Sequence, residues 1–368
     1  MSQIAPFKLE QYFERYEFSV PYLLSSSDAE AWRLDDLLAL ADDELRERWE
    51  NLTLGYTEVR GDPLLREAIA DLYEHVTAED VIVFAAAQEP IFALSSVTVE
   101  PGEHVIAVVP SYQSLYEVAR SRGAEVTLVP MGEGWTLDVD AVRAAVRPNT
   151  KLIVLNAPNS PTGALPDEAA FRELFELGPR VFVDEVYRLI EHEPGLRLPA
   201  AADLGGVSLG VMSKTFALPG IRIGWLATRD KELRERIVEF KHYLTICSAG
   251  PSEILAAIAL RARDAVLSRS RRIVEANLPI LDDFIARNEA FSWTRPRGGT
   301  IGLIELAGGD IDTLAREVAD TEGVMILPAS VFDWPANAFR VGYARAGMPQ
   351  ALTRFERFVA RANVNGGR

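Results

Sequence analysis

An α/β protein is expected, with a large domain built on a mostly parallel sheet between helices and a smaller α+β domain at the carboxyl end. The first reason is a rhythm: from Glu79 to Arg229 short apolar runs alternate with longer amphipathic stretches. Val81–Phe84, His104–Val109, Glu125–Val129, Lys151–Leu155, Arg180–Val183 and Gly206–Met212 read as buried strands. Ser114–Arg122 and Pro166–Leu177, lying between some of them, read as helices. Parallel strands need long crossovers, usually helical, so the alternation implies a sheet covered on both faces. In such sheets ligands gather at the carboxyl ends of the strands, where loops and helix starts supply polar groups.

The second reason is a change of pattern. Pro251-Ser252-Glu253 reads as a helix start, and the amphipathic run Glu253–Ala290 is long enough to link two domains. Beyond it Thr300–Leu306, Val324–Leu327 and Phe339–Tyr343 read as strands and Ala351–Ala362 as a helix. The expected division is an amino-terminal segment (1–45) packing with the small domain, a large domain (46–250), a linking helix (251–290) and the small domain (291–368). In the first segment Leu9–Tyr16 reads as a helix and Ser25-Ser26-Ser27-Asp28 as a turn or cap. The tail Asn365-Gly366-Gly367-Arg368 reads as frayed.

Composition narrows the function. At 368 residues the chain is long enough for a sizeable core, and 48% of its residues are hydrophobic without any run able to cross a bilayer. Met1–Glu10 lacks the basic start and apolar stretch of an export signal, so cytoplasmic residence is the expectation, with no membrane partner. A net charge of -16 repels a polyphosphate backbone, which argues against nucleic acid. Cys247 is the single cysteine, and none of His75, His104, His192 and His242 stands in close metal-ligand spacing; no metal site is expected.

The chemistry concentrates in a few segments. In Ser213-Lys214-Thr215-Phe216-Ala217-Leu218-Pro219-Gly220-Ile221-Arg222-Ile223-Gly224 a lysine follows directly on an apolar strand. Burying it charged is costly unless a partner or a covalent bond changes its state. Val181-Phe182-Val183-Asp184-Glu185-Val186-Tyr187-Arg188 ends another buried strand on an acidic pair, and a carboxylate there needs a cation. Asn156-Ala157-Pro158-Asn159-Ser160-Pro161-Thr162-Gly163 is a loop in any reading. Taken singly, Asp184 and Tyr187 are a helix cap and a core aromatic; their joint occurrence with Lys214 reverses that judgement.

Together these segments resemble the SKxxxxPGxRxG, DExY and NPxNPTG signatures of the class I/II aminotransferases, fold-type I enzymes that use pyridoxal 5'-phosphate (PLP) and share the aspartate-aminotransferase fold. The resemblance runs from about Tyr56 to Arg340. It implies that Lys214 holds PLP in a Schiff base and serves as the base. It further implies that Arg222 clamps the phosphate, Asp184 keeps the ring nitrogen protonated and Tyr187 bonds the ring hydroxyl oxygen. Tyr112 corresponds to the ring stacked on the cofactor face. Ala87 and Gln88 stand in a helix-start turn that has lost the family's glycines and serines, so only their backbone N–H groups carry over to the phosphate, beside Ser213. Val211 replaces a position where the family often has a hydroxyl. Ser160 replaces the asparagine that bonds the ring hydroxyl oxygen, which leaves Ser160, Asn159 and Asn156 as alternatives for that contact. Tyr56 matches a tyrosine that reaches the phosphate of the neighbouring subunit, implying a homodimer with shared active sites. Arg340 matches the arginine that grips the substrate α-carboxylate.

The implied activity is transfer of an amino group from an L-amino acid to a 2-oxo acid through a quinonoid intermediate. Tyr243-Leu244-Thr245 and Pro296-Arg297-Gly298-Gly299-Thr300 locally resemble capreomycidine synthase, a cyclase of the same fold, so elimination, replacement or cyclisation stands as the alternative. A non-catalytic PLP-binding sensor, like the effector domain of certain transcription regulators, is a remote third reading, disfavoured by the acidic charge. Arg60, Arg120 and Arg188 are the candidates for meeting a distal substrate carboxylate, against a surface role for each.

Overall fold

The computed structural model describes residues 4–193 and 195–361. Helix α1 (Lys8–Tyr16) leads to a two-residue strand β1 (Tyr22–Leu23) and to three short helices, α2 (Leu34–Leu38), α3 (Asp43–Glu50) and α4 (Pro63–Ala70). Asp42 and Asp62 start the last two by accepting from the backbone N–H of Leu45 (2.8 Å) and Leu64 (2.9 Å). Pro63 adds a residue that needs no N–H partner in the first turn.

There follow β2 (Val81–Phe84), α5 (Gln88–Thr98), β3 (His104–Val109), α6 (Ser114–Ser121), β4 (Glu125–Pro130) and α7 (Val139–Ala145). The alternation continues with β5 (Thr150–Asn156), α8 (Glu168–Glu173), β6 (Arg180–Asp184), β7 (Val207–Val211) and β8 (Gly224–Ala227). These strands form one seven-stranded sheet in the order β2-β8-β7-β6-β5-β3-β4. Neighbours from β7 through β4 pair in parallel. Strand β8 runs against both β7 and β2. The mostly parallel sheet expected from the sequence is therefore present, with a reversed strand that the hydrophobic runs do not reveal. Strand β8 has only four residues, and the room for its Trp225 comes from the neighbouring strand: a Cβ on Gly210 would lie 2.2 Å from the indole. Strands β2, β6, β7 and β8 are buried along nearly their whole length, as two-sided coverage requires.

After α9 (Lys231–Lys241) the chain enters α10 (Gly250–Arg261) and α11 (Arg263–Arg287). The single linking helix expected over residues 251–290 is thus two helices, because Ala262 (φ -92°, ψ 22°) leaves helical geometry between them. Strands β9 (Phe291–Ser292) and β10 (Ile301–Leu306), helix α12 (Ile311–Glu322), strands β11 (Val324–Met325), β12 (Leu327–Pro328) and β13 (Ala338–Gly342), and helix α13 (Met348–Arg361) complete the described chain. A four-stranded antiparallel sheet runs β12-β13-β10-β9. The run Val324–Leu327, expected as one strand, divides between two sheets: β11 pairs with β1 and β12 with β13. Ile326 between them gives its carbonyl to the Tyr12 hydroxyl (2.9 Å) instead of to a strand ladder.

The amino-terminal segment touches both parts of the molecule. Helix α1 packs beside Ala329–Phe332 and β1 joins β11, whereas α2 and α3 lie on α10, where Asp42 and Glu44 both pair with Arg261. The tail Asn365–Arg368 lies outside the described residues. Among the described residues no helix is long and apolar enough to cross a membrane.

Candidate active site

A cavity of about 390 Å³ opens at the carboxyl ends of the parallel strands. Its wall gathers Ala87 and Gln88 at the start of α5, Tyr112 after β3, Ser160 after β5, Asp184 at the end of β6, and Tyr187. Ser213 and Lys214 follow β7, Arg222 precedes β8, and Arg340 reaches in from β13. Apart from Arg340, which lies within β13, these residues sit at the end of a strand of the large sheet or on the connections that follow or precede one, so most of the chemistry is carried on short segments held by a rigid sheet.

Lys214 Nζ donates to Ser27 Oγ at 2.7 Å. Burial holds its ammonium below the usual lysine range, with Arg340 adding to the effect and Asp28, Glu10 and Asp184 opposing it. The Asp184 carboxylate is 4% exposed and accepts from the Val186 N–H at 3.2 Å. Burial pushes its pKa up to about 7, against the smaller lowering effects of that N–H and of Lys214. Tyr187 is buried as well; its hydroxyl is pushed up to about 12, chiefly by burial, although the positive charge of Arg340 and bonds with Ser27 and Ser160 pull it down.

At the other end of the cavity, Ala86 adopts φ 64° and Ala87 caps α5 without any side-chain hydrogen bond, leaving the helix start to whatever occupies the cavity. Arg222 is left-handed (φ 54°), and its guanidinium donates to the Pro219 carbonyl at 3.0 Å. Tyr112 is fixed from three sides: its ring lies 4.9 Å from that of Phe7, its hydroxyl donates to Glu10 at 2.7 Å, and Gln88 Nε2 donates to it at 3.2 Å.

Several expected residues are not at the cavity. Asn156 Nδ2 donates to the Asp184 carbonyl while its Oδ1 accepts from the Ser160 N–H. Asn159 bonds the Pro110 carbonyl (3.0 Å) and Thr162. Both amides hold the loop, and of the three alternatives Ser160 alone lines the cavity. Tyr56 is 95% exposed and does not line the cavity of its own chain. Arg60 pairs with Glu235, Arg120 with Glu117, and Arg188 donates to the Leu72 carbonyl, so none of these three reaches the cavity. Conversely, Glu10, Phe13 and Glu17, the group Ser26-Ser27-Asp28, and Arg345 line it and were not singled out as site residues. The serine run reads as a turn, and only the helical spacing of 10, 13 and 17 hints at a common face.

The shifted Asp184 makes a prediction for the protein without cofactor. A carboxyl raised from 3.8 to about 7 binds more protons folded than unfolded across that interval, so its stabilising share is present at low pH and lost as pH rises through 7. Glu185 and Glu253, also raised to about 7 mainly by burial, act in the same sense. The apoprotein Tm should fall between pH 5 and 8. PLP should flatten that fall by giving Asp184 a cation, and thermal scans of both forms across this range check it.

The residues present fit PLP. Asp184 is a buried carboxylate that a protonated ring nitrogen would match; the uncapped start of α5, Ser213 and Arg222 would hold a phosphate; and Lys214 presents an amine in the same cavity. A family model described as aminotransferase class I and II matches residues 30–355. Over 349 residues the chain is 28% identical to capreomycidine synthase of Streptomyces vinaceus, covering 91% of this chain and 88% of that protein. It is likewise 28% identical over 314 residues to arginine–pyruvate transaminase AruH of Pseudomonas aeruginosa, covering 80% and 77%. A PLP-dependent aminotransferase from Streptococcus suis 89-1591 superposes with a TM-score of 0.92 over 98% of both chains, at 29% identity. With a matching family model over most of its length and this fold around the cavity, the chain belongs to the class I and II aminotransferases, PLP-dependent enzymes of the aspartate-aminotransferase fold.

Proposed function

We propose that the protein moves the amino group of an L-amino acid to a 2-oxo acid, with Lys214 as the residue that holds PLP and as the base. The observation that carries this reading is the placement of a half-buried amine and a buried carboxylate, Lys214 and Asp184, in one cavity with Arg340. PLP supplies an aldehyde carbon that accepts the amino group and a ring that draws electron density from the substrate α-carbon. Lys214 Nζ, kept below its ordinary pKa by burial, takes the α-proton and returns it. Asp184 holds positive charge at the ring nitrogen, Tyr187 and Ser160 bond the ring hydroxyl oxygen, and Tyr112 covers the ring. Arg222, Ser213 and the N–H groups of Ala87 and Gln88 hold the phosphate. Arg340, anchored by its bond to the Ser25 carbonyl (2.8 Å), orients the α-carboxylate.

The reading extends to a homodimer. Leu54, Tyr56, Tyr243 and Ile246 are exposed large hydrophobic side chains, and the two segments that carry them are tied together by Thr57 Oγ1 donating to the Ser248 carbonyl at 2.8 Å. In this arrangement Tyr56 reaches the phosphate of the partner's site.

A second reading, elimination, replacement or cyclisation of an amino acid, is favoured by the similarity to capreomycidine synthase over 91% of the chain. Incubation with α-15N-labelled amino acids and an unlabelled 2-oxo acid separates the two. Transamination moves the label onto the carbon skeleton of the added oxo acid, whereas a cyclase or a replacing enzyme keeps it on the donor's own α-carbon and an eliminating enzyme releases it as ammonia.

A further inference from the structure

We infer that the amino acid taken by this site carries a positive charge at the end of its side chain, a guanidinium or an ammonium group, and that Glu17, assisted by Glu10, binds it. The inference rests on the transaminase reading for the ligand being an amino acid; what it adds is the side-chain class. Its basis is the charge left over when every other ionic group of the cavity has been assigned.

Four cations and four anions line the cavity: Lys214, Arg222, Arg340 and Arg345 against Glu10, Glu17, Asp28 and Asp184. Arg345 Nη2 lies 2.8 Å from both oxygens of Asp28, so these two neutralise each other. Asp184 faces the ring nitrogen, Lys214 and Arg222 serve the cofactor, and Arg340 remains for the α-carboxylate. Arg340 is suited to that task by its surroundings: it is 2% exposed, its guanidinium carbon lies 5.6 Å from the ring centres of both Phe13 and Phe332, and its buried Nε has no partner among the described residues. An unpaired N–H at that depth calls for an acceptor from a ligand. Only Glu10 and Glu17 are then left without a countercharge.

Their placement suits a substrate side chain. Residues 10, 13 and 17 fall on one face of α1 and its C-terminal turn, and all three line the cavity. Phe13 lies between the carboxylates, so an aliphatic stem can pack on its ring while the charged end reaches the acids. Glu10 accepts from the Tyr112 hydroxyl and keeps acceptor capacity on its other oxygen. Glu17 is half-buried, and no side-chain hydrogen bond or ion pair holds its carboxylate among the described residues. Burial and then the neighbouring Asp28 push its carboxyl above the ordinary range, with Glu10 adding and Arg345 and Lys214 opposing. A substrate cation removes that penalty. A distal carboxylate would meet two acids and an arginine already engaged, and a neutral side chain would give Glu17 no countercharge.

The test compares L-arginine with L-citrulline, which matches it in shape but ends in a neutral urea, alongside L-lysine and L-glutamate. Dissociation constants are measured by titrating PLP-loaded enzyme without an oxo acid, and amino transfer is measured separately. Arginine or lysine should bind about 100-fold more tightly than citrulline and glutamate, a factor held to that size by the partial exposure of the acids. Glu17→Gln should reduce the arginine-over-citrulline preference by about 10-fold or more while leaving citrulline binding nearly unchanged. Equal binding of arginine and citrulline, tighter binding of glutamate, or no binding of any cationic amino acid overturns the inference without recourse to a variant. Tight arginine binding without amino transfer to any 2-oxo acid contradicts the transaminase reading and leaves the side-chain assignment standing.

Discussion

Replacing Lys214 with alanine should lower amino transfer by about 10⁴-fold or more, because one side chain supplies both the attachment point and the proton carrier. Its Nζ is fixed at 2.7 Å from Ser27 Oγ at the cavity wall. Burial depresses its pKa, which enlarges the share of neutral amine available as a base near neutral pH. The same depression means that the folded state disfavours the ammonium form, so truncation should leave the apoprotein Tm unchanged or raised. Lys214→Arg, which retains a cation but cannot act through a neutral amine, should lose activity to a similar extent. A stable, folded Lys214→Ala enzyme with more than a tenth of the wild-type rate would remove this residue from the chemistry.

Asp184→Asn should be the next most damaging change, reducing kcat by roughly 10² to 10⁴-fold with the cavity shape preserved. Asparagine keeps the size and the bond from the Val186 N–H but discards the negative charge. In the wild-type protein that charge is expensive, as a pKa pushed up to about 7 attests, and a buried anion of this kind is retained where it is matched by a cation. The variant therefore separates cost from use. Its apoprotein should lose the Asp184 share of the fall in Tm between pH 5 and 8, while the share from Glu185 and Glu253 persists. PLP should bind it more weakly. A variant with normal kcat, or an unchanged pH dependence of apoprotein Tm, would show that Asp184 is not the ionised group assumed.

Legibility in the sequence followed distance along the chain. Lys214 and Arg222 share one twelve-residue segment with Ser213, and Asp184 and Tyr187 another, so local chemistry and order sufficed to single them out. The strands that lead into them, β6 and β7, are short, mostly apolar runs buried along nearly their whole length, a pattern legible in sequence. Strand β8 escaped because its four residues, Gly224 to Ala227, begin on a glycine and contain a single large aromatic that depends on Gly210 in another strand. The division of Val324–Leu327 depends on Tyr12, more than 300 residues earlier, taking the Ile326 carbonyl. The same holds for the outer wall of the site. Glu10, Glu17, Asp28 and Arg345 carry no common motif, and their meeting requires β1 to pair with β11 and Arg345 to close on Asp28. For Asn156 and Asn159 the residue type fits the ring contact, yet both side chains are spent on backbone groups of their own loop and its neighbours.

The account depends above all on the Lys214 amine being the atom that bonds the cofactor. Borohydride reduction of the PLP-loaded enzyme, followed by proteolysis and mass spectrometry, reads this directly: a pyridoxyl group should appear on Lys214 Nζ and be absent from the Lys214→Ala protein. An unmodified Lys214, or the same group on another lysine, would contradict it.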